Sequence, residues 1–346
     1  MNMKHISIFM MFLLSMLLLT ASCNDEWTKE QYVQYVSFKA PLNDNGVTAV
    51  YVPYSRHTDD GNLQFGEAGL SNYLLPLIMS GSTQNGNNIT VHVAHDTDTL
   101  GILNYARYQN RSDLYYVDMS NYATYPETVA VNSGEDIGLL DIRFNFKNID
   151  MVDKWVLPIK ILNDASYGYA AHPRKNYAKA MLRIYPYNNF SGDYSATTLT
   201  LANSDDPANA IGLETSRAYV VDENTVFFYA GNIDETRTDR AKYKIYARFN
   251  GETQGTVTFW SDNADLKFQT DGKASFRVYE QMDEVRPYLK HRYVIINNVN
   301  YTYVDYTSVP GYEMSYTAQG TLTLERKLNT QIKNPDYAIQ WSEEGQ

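Results

Sequence analysis

Polar and apolar residues alternate with a period of two over most of this chain, the pattern of strands that show one face to a core and the other to water. In Asn88–Ala94, Ile89, Val91 and Val93 fall on one face, and Thr90, His92 and Ala94 on the other. In Ala241–Phe249, Tyr243, Ile245, Ala247 and Phe249 oppose Lys242, Lys244, Tyr246 and Arg248. The same reading predicts strands at Tyr32–Ala40, Thr48–Tyr54, Tyr73–Met79, Thr128–Asn132, Ile137–Phe146, Trp155–Leu162 and Tyr177–Tyr185. Beyond them it predicts Thr225–Ala230, Thr256–Trp260, Ala274–Glu280, Arg292–Ile296, Tyr301–Tyr306 and Gly320–Arg326. An Asn-rich stretch separates Arg292–Ile296 from Tyr301–Tyr306, which are expected to form a hairpin. The one helix predicted lies near Thr99–Tyr108, with Leu100, Leu103 and Arg107 at i, i+3 and i+7 behind a cap at Thr97 or Asp98. Pro186-Tyr187-Asn188-Asn189 interrupts the series, because proline cannot donate to a sheet ladder and asparagine favours turns. The expected fold is all-β: an immunoglobulin-like β-sandwich over 31–186, then an antiparallel β-barrel or sandwich of lipocalin-like size over 187–346.

The start of the chain departs from this alternation. Lys4 and His5 precede an apolar run from Ile6 to Leu19, followed by the small residues Thr20, Ala21 and Ser22 and then Cys23. A charged start, an apolar stretch and a small-residue exit describe a secretory signal peptide over 1–22. The run is too short for the ~20 residues that span a bilayer as a helix, so cleavage is expected. Cys23 is the only cysteine in the chain and so has no disulfide partner within it. Its position resembles a lipobox, whose thiol is lipidated and becomes the first mature residue, with Leu19 four positions before it where such motifs prefer three. Asn24, Asp25 and Glu26 then resemble the surface-export signal of Bacteroidetes lipoproteins. Residues 23–30 are thus expected to be a lipidated tether, holding the protein on the outward side of a Gram-negative outer membrane.

Forty acidic residues against 29 Lys and Arg give a net charge of −11, and loss of Lys4 with the signal peptide would take it to −12. Such a chain is repelled by phosphates, which argues against a nucleic-acid partner. The chemistry-bearing motifs are missing as well: there is no HExxH, no P-loop and no Gly-x-Ser-x-Gly elbow. His57, His92, His95, His172 and His291 follow the signal segment. His92 and His95, three apart on or beside a strand, lean to opposite faces and make a poor metal pair. Asp59-Asp60-Gly61-Asn62 and Asp262-Asn263-Ala264-Asp265 read as polar turns in preference to calcium loops, neither matching an EF-hand. No cofactor is expected. A glycosidase would need two carboxylates some 5–10 Å apart, a spacing that chain positions do not reveal.

The excess of aromatic residues, 30 Tyr, 13 Phe and 4 Trp, is the most informative compositional feature. Tyrosine suits strands and half-buried surfaces, and it stacks on sugar rings because it joins an apolar face to a polar tip. Tyr301 and Tyr303 share one strand face with Asp305, with Asn300, Asn297 and Asn298 beside them. Trp260 shares its face with Thr256 and Thr258, and Tyr312 and Tyr316 follow in a later segment. Trp260, Tyr301, Tyr303, Asp305, Asn300 and Tyr312 are therefore the candidate sugar contacts. Tyr115, Tyr116, Tyr122 and Tyr125 form a weaker group in the first half. Against this stands the plain reading that tyrosines on barrel strands pack inward or cover an edge.

Three stretches of the first half, Leu75-Pro76-Leu77, Thr128-Val129-Ala130-Val131-Asn132-Ser133-Gly134-Glu135 and Trp155-Val156-Leu157-Pro158-Ile159-Lys160-Ile161, carry a family resemblance. This half resembles a domain of unknown function common at the front of Bacteroidetes surface lipoproteins. Tyr187-Asn188-Asn189-Phe190-Ser191-Gly192-Asp193-Tyr194 and Gly320-Thr321-Leu322-Thr323-Leu324-Glu325-Arg326 are similar to the companion domain found behind it. These are strand and turn signatures, so they speak to fold and company more than to mechanism. The resemblance implies a protein of a polysaccharide-utilisation locus, where non-catalytic members hold glycan for a neighbouring transporter or hydrolase. The same first domain precedes a chitinase-like barrel in some endo-β-N-acetylglucosaminidases. That barrel needs ~250 residues, more than the β-patterned second half offers. A non-catalytic, surface glycan-binding lipoprotein is the leading expectation. An adhesin or accessory lipoprotein meeting protein partners is the second, and a glycosidase with an unrecognised carboxylate pair the third.

Overall fold

A computed structural model of the chain describes residues 34–341, apart from 59–61, 65 and 82. Cys23, the tether and Asp59 to Gly61 lie outside the described residues.

The first half folds as two facing sheets. Tyr35–Phe38, Leu70–Met79, Ile137–Asn145 and two short pieces form one of five strands; Thr48–Pro53, Lys179–Tyr187, Lys154–Ile161, Ile89–His95, Thr128–Val131 and Tyr116–Asp118 form the other, of six. Alternation does what the sequence predicts. Val36, Leu75, Leu77, Leu140 and Ile142 meet Val50, Val52, Val91, Leu157 and Ile184 in a core of aliphatic side chains. Lys154–Ile161 is buried almost throughout because it is covered on both faces. Helix Thr97–Tyr108 lies over its outer side, where Leu100 packs with Val47, Tyr116, Val156 and Met181. The helix cap is Asp96, one residue before the expected pair, and its carboxylate accepts from the Thr99 hydroxyl at 2.7 Å.

The second half is a barrel closed by eight strands: Gly192–Ser195, Thr215–Val220, Thr225–Tyr229, Lys244–Asn250, Gln254–Trp260, Ser275–Met282, Leu289–Asp305 and Met314–Asn329, the last pairing back to the first. Full closure removes the open edges that an antiparallel sheet otherwise presents. A hairpin of Thr200–Asn203 and Asp206–Gly212 extends the edge of Met314–Asn329.

The expected hairpin between Arg292–Ile296 and Tyr301–Tyr306 does not form. Both segments belong to one strand of 17 residues, Leu289–Asp305, running alongside Met314–Asn329. Asn297 and Asn298 make a β-bulge, with the register shifting between Ile296 and Val299 and Asn298 at φ 56°. The inward residues explain it: Val294 and Ile296 are even-numbered, whereas Val299, Tyr301 and Tyr303 are odd. One inserted residue keeps both sets facing the core, and asparagine tolerates the left-handed conformation this requires. The partner strand keeps one parity through Ala318, Leu322 and Leu324. Opposite the bulge, Gly320 has φ 148°, and a Cβ there would fall 2.1 Å from the Thr198 carbonyl oxygen.

Other starts also move. Arg240–Tyr243 is a 3-10 turn, so the predicted Ala241–Phe249 strand begins at Lys244; Lys175–Ala178 is one helical turn, so the next strand begins at Lys179. That strand runs on through Pro186 and Tyr187, which pair in parallel with Val52 and Pro53. The chain then turns around Asn188, whose side chain accepts from Phe190 N and Ser191 N at 2.8 Å and donates to Asp222 O at 2.7 Å.

Barrel and sandwich are packed together. Tyr219, Val220, Phe227 and Tyr229 join the same apolar cluster as Ile149, Met151 and Val152. Arg240, 3% exposed, donates to Val152 O from Nε and Nη2 and to Asp113 O from Nη1.

Candidate functional site

The six candidate sugar contacts separate into buried and exposed sets. Tyr301 and Tyr303 point into the barrel and are 7% and 2% exposed. The Tyr301 hydroxyl accepts from Gly231 N at 3.2 Å, and Tyr303 stacks on Tyr316 with ring centroids 5.4 Å apart. Asp305, also buried, closes a network at the end of its strand. It accepts from the Tyr243 hydroxyl at 2.7 Å, from Thr307 N and Ser308 N at 3.1 and 3.0 Å, and from Arg237 Nη1 at 3.3 Å. Burial works against its charge, but these donors hold its carboxyl well below the usual carboxylate range. These three residues are barrel structure, and the reading of them as an exposed platform is corrected: the bulge turns Tyr301 and Tyr303 inward, and every oxygen of Asp305 is already engaged.

The other three lie on the surface in separate neighbourhoods. Trp260 stands on the outer barrel face, stacked on its cross-strand neighbour Tyr246 at 5.1 Å with Arg248 6.0 Å from its ring. Asn300 donates to Asp271 at 3.1 Å and accepts from Gln319 at 3.2 Å. The Tyr312 hydroxyl donates to Asp205 at 3.2 Å. In the first half, Tyr116 is buried under the helix, and Tyr122 packs edge-on to Trp155 at 5.1 Å. His92 stacks on Tyr167 at 4.0 Å, while the His95 ring is 2.9 Å from Asp118. Among the described residues, no group of three His, Cys, Asp or Glu side chains is placed to hold a metal ion.

Aromatic and charged groups converge instead at the junction of sandwich and barrel. In the six-stranded sheet Leu182 and Ile184 face inward, which leaves Arg183, Tyr185 and Tyr187 on the outer side. Parallel pairing sets Tyr185 directly beside Tyr51, and their rings stack at 5.3 Å. The C-terminal segment completes the row. Trp341 lies flat on Tyr51, centroids 4.0 Å apart and planes 6° apart, and meets Tyr187 edge-on at 4.8 Å. Asp336 fixes this segment by pairing with Arg56 and accepting from the Tyr187 hydroxyl at 2.8 Å. On the barrel side the Arg217 guanidinium sits over Tyr185 at 4.9 Å and Tyr219 at 5.8 Å.

Two grooves flank the Tyr51–Trp341 stack. One, of about 560 Å³, is lined by Asp193, Glu214, Arg217, Glu325, Lys327 and Gln340 along with Trp341. The other, of about 510 Å³, is lined by Arg56, Gln64, Asn72, Tyr73 and Tyr337. Aromatic faces ringed by amide, carboxylate and guanidinium groups can stack on a sugar ring and hydrogen-bond its hydroxyls. The sequence does hold part of this signal. Tyr51 and Tyr185 take the outward parity on strands whose valines, leucines and isoleucines point inward. The parallel register and the returning C-terminus carry no such mark.

A family model for a domain of unknown function, DUF4973, matches residues 27–165, and a C-terminal-domain model matches residues 178–323. Among solved structures, an auxiliary nutrient binding protein from Bacteroides thetaiotaomicron is 52% identical, with a TM-score of 0.82 over 86% of this chain and 97% of that one. A Bacteroides ovatus protein of unknown function is 38% identical, with a TM-score of 0.77 over 89% and 100% of the two chains. A second protein of unknown function from that organism is 32% identical, with a TM-score of 0.74 over 90% and 97%. No curated protein matches the chain.

Proposed function

The chain belongs to the two-domain family represented by these Bacteroides proteins, which joins the DUF4973 domain to a C-terminal β-barrel, and from that premise we propose that it is a non-catalytic glycan-binding lipoprotein of the outer membrane. Lipid on Cys23 would hold it to the membrane facing outward, and bound glycan would pass to a neighbouring transporter or hydrolase. The observation that carries the reading is the pair of grooves around the Tyr51–Trp341 stack. They place an aromatic surface among hydrogen-bonding groups of both signs, in a chain similar to a nutrient binding protein. Stacking would supply affinity that tolerates different sugars, and the surrounding amides and carboxylates would select hydroxyl geometry.

Calorimetric titration of residues 24–346 against host and plant glycans, with chromatography for cleavage products, tests this. Saturable binding without cleavage, weakened at least tenfold by Trp341→Ala, is expected. Binding unaffected by both Trp341→Ala and Tyr51→Ala would remove the grooves from the reading. Cleavage would make the protein a hydrolase, and silence across the panel would favour a protein partner. Mass spectrometry of the protein from membranes should find acyl chains on Cys23, and Cys23→Ala should leave it unanchored.

A further inference from the structure

Beside the grooves, on the far side of Tyr185, lies a smaller and more enclosed pocket of about 290 Å³. Its walls come from the loop around Asn43 and Asn45, from Arg107 and Tyr108 at the end of the helix, from the sheet residues Lys154 and Arg183, and from Glu235 on a barrel loop. Three cations and one carboxylate thus face a common space, in a protein whose net charge is −11.

Two of those cations are buried, and one of them, Arg183, is poorly partnered. Arg183 is 3% exposed, and its Nε and Nη1 donors have no hydrogen-bond partner among the described residues. Its guanidinium lies 5.7 Å from the Tyr116 ring and 5.0 Å from the Tyr185 ring. Nη2 comes no nearer than 3.7 Å to Glu235, a carboxylate that is itself about a third exposed. Lys154 is 6% exposed, with its ammonium 5.2 Å from the Tyr108 ring centre. Burial pushes the Lys154 amine below its ordinary value. Burial raises Tyr108, but the hydrogen bond from Tyr116 and the charges of Lys154 and Arg107 bring its hydroxyl below the ordinary range. Buried donors left without acceptors cost stability, and buried charges are ordinarily paired. A site that keeps two buried cations and three tyrosines around an open space is complementary to an oxyanion.

We propose that this pocket binds an oxyanion carried on a sugar-sized unit, a carboxylate or a sulfate. Arg183 and Lys154 would neutralise the charge, with the Tyr108 hydroxyl close by. Asn43 and Asn45 would meet hydroxyls, and the volume, at the small end of the ~300–1,000 Å³ of ligand sites, suits one residue rather than a chain. The proposal does not rest on the grooves, which lie on the other side of Tyr185.

The test is titration of residues 24–346 with glucuronate, glucose 6-sulfate, inorganic sulfate and glucose, followed by calorimetry and by tyrosine signals in NMR spectra. At least one acidic sugar should bind at least tenfold more tightly than glucose, and Lys154→Met and Arg183→Met should each weaken it at least tenfold. Glucuronate against glucose 6-sulfate identifies the anion, and inorganic sulfate shows whether the sugar contributes. Because Arg183→Met removes a buried side chain, its fold is checked by circular dichroism, and Arg183→Lys supplies a milder variant expected to retain partial binding. Trp341→Ala, which disturbs the grooves, should leave acidic-sugar affinity unchanged. Equal affinity for glucose and both acidic sugars, no binding of either acid, or full affinity in Lys154→Met would each overturn the proposal, whatever the grooves bind.

Discussion

The barrel interior takes in more tyrosine than the sandwich core does. In the barrel Tyr194, Tyr243, Tyr301 and Tyr303 fill the interior, while the sandwich core is mainly valine, leucine and isoleucine. On the sandwich Tyr51, Tyr185 and Tyr187 lie on the outer side of a sheet, at the junction. Geometry accounts for the difference. Two sheets facing each other about 10 Å apart are filled by interdigitating branched aliphatics, whereas an eight-stranded barrel encloses a wider space that large side chains must fill. A tyrosine-rich barrel strand therefore reports on packing, and an outward tyrosine on an aliphatic sandwich strand is the better pointer to a ligand.

The sharpest way to break that contrast is truncation on each side. Tyr303→Ala would empty the barrel core and is expected to cost about 3–5 kcal/mol. Tyr185→Ala, half-buried at the junction, should cost under about 2 kcal/mol. Urea denaturation measures both, and a Tyr185→Ala loss as large as that of Tyr303→Ala would erase the distinction between core and site. Gly231→Ala sharpens the barrel side. Gly231 has φ 56°, and an added Cβ would fall 2.2 Å from the Tyr303 hydroxyl oxygen. The backbone alone costs roughly 1–2 kcal/mol, and the clash adds to it. Tyr303→Phe removes that oxygen, so the double mutant should be more stable than the two single losses summed, by about 0.5–3 kcal/mol. Additivity would mean that the hydroxyl is not what confines Gly231.

A smaller effect is expected where the C-terminal segment meets the sandwich. Asp336→Asn weakens the pair with Arg56, whose partners are 20% and 27% exposed. Partial screening limits the loss to roughly 0.5–1.5 kcal/mol. The useful readout is local: limited proteolysis should cut near residue 330 faster while the barrel stays intact. Unchanged cleavage would show that Trp341 holds the segment without Asp336.

Strand positions were legible because alternation is a local property. Ile89–His95 and Thr48–Pro53 lie within a residue of where the side-chain pattern puts them. What failed was pairing. Asn297 and Asn298 carry the composition of a turn, and only the switch in inward parity from Ile296 to Val299 distinguishes a bulge from a hairpin. Half of the candidate site failed on burial: Tyr301, Tyr303 and Asp305 share a face as predicted, but the face is interior. The stack of Trp341 on Tyr51 depends on where a distant segment returns, and no local pattern encodes that.

The smallest expected effect sits at the outer surface of the barrel, on His291. Its ring nitrogens meet Asp283, at 3.0 Å, and Glu325. Hydrogen bonds to Glu325 and Asp283 raise the His291 pKa, and the hydrogen bond from His291 lowers that of Asp283. The signs set the window. A raised histidine contributes stability that is complete below its unfolded value near 6.5 and is lost as pH rises through the folded value. A depressed aspartate contributes stability that is complete above roughly 4 and is lost as pH falls through its folded value. His291→Gln should therefore lower Tm more at pH 5.5 than at pH 8.5, by an amount smaller than any core change because the Glu325 side of the cluster is open to solvent. Equal shifts at both pH values would mean that the ring acts by packing beside Tyr293 and not by its charge.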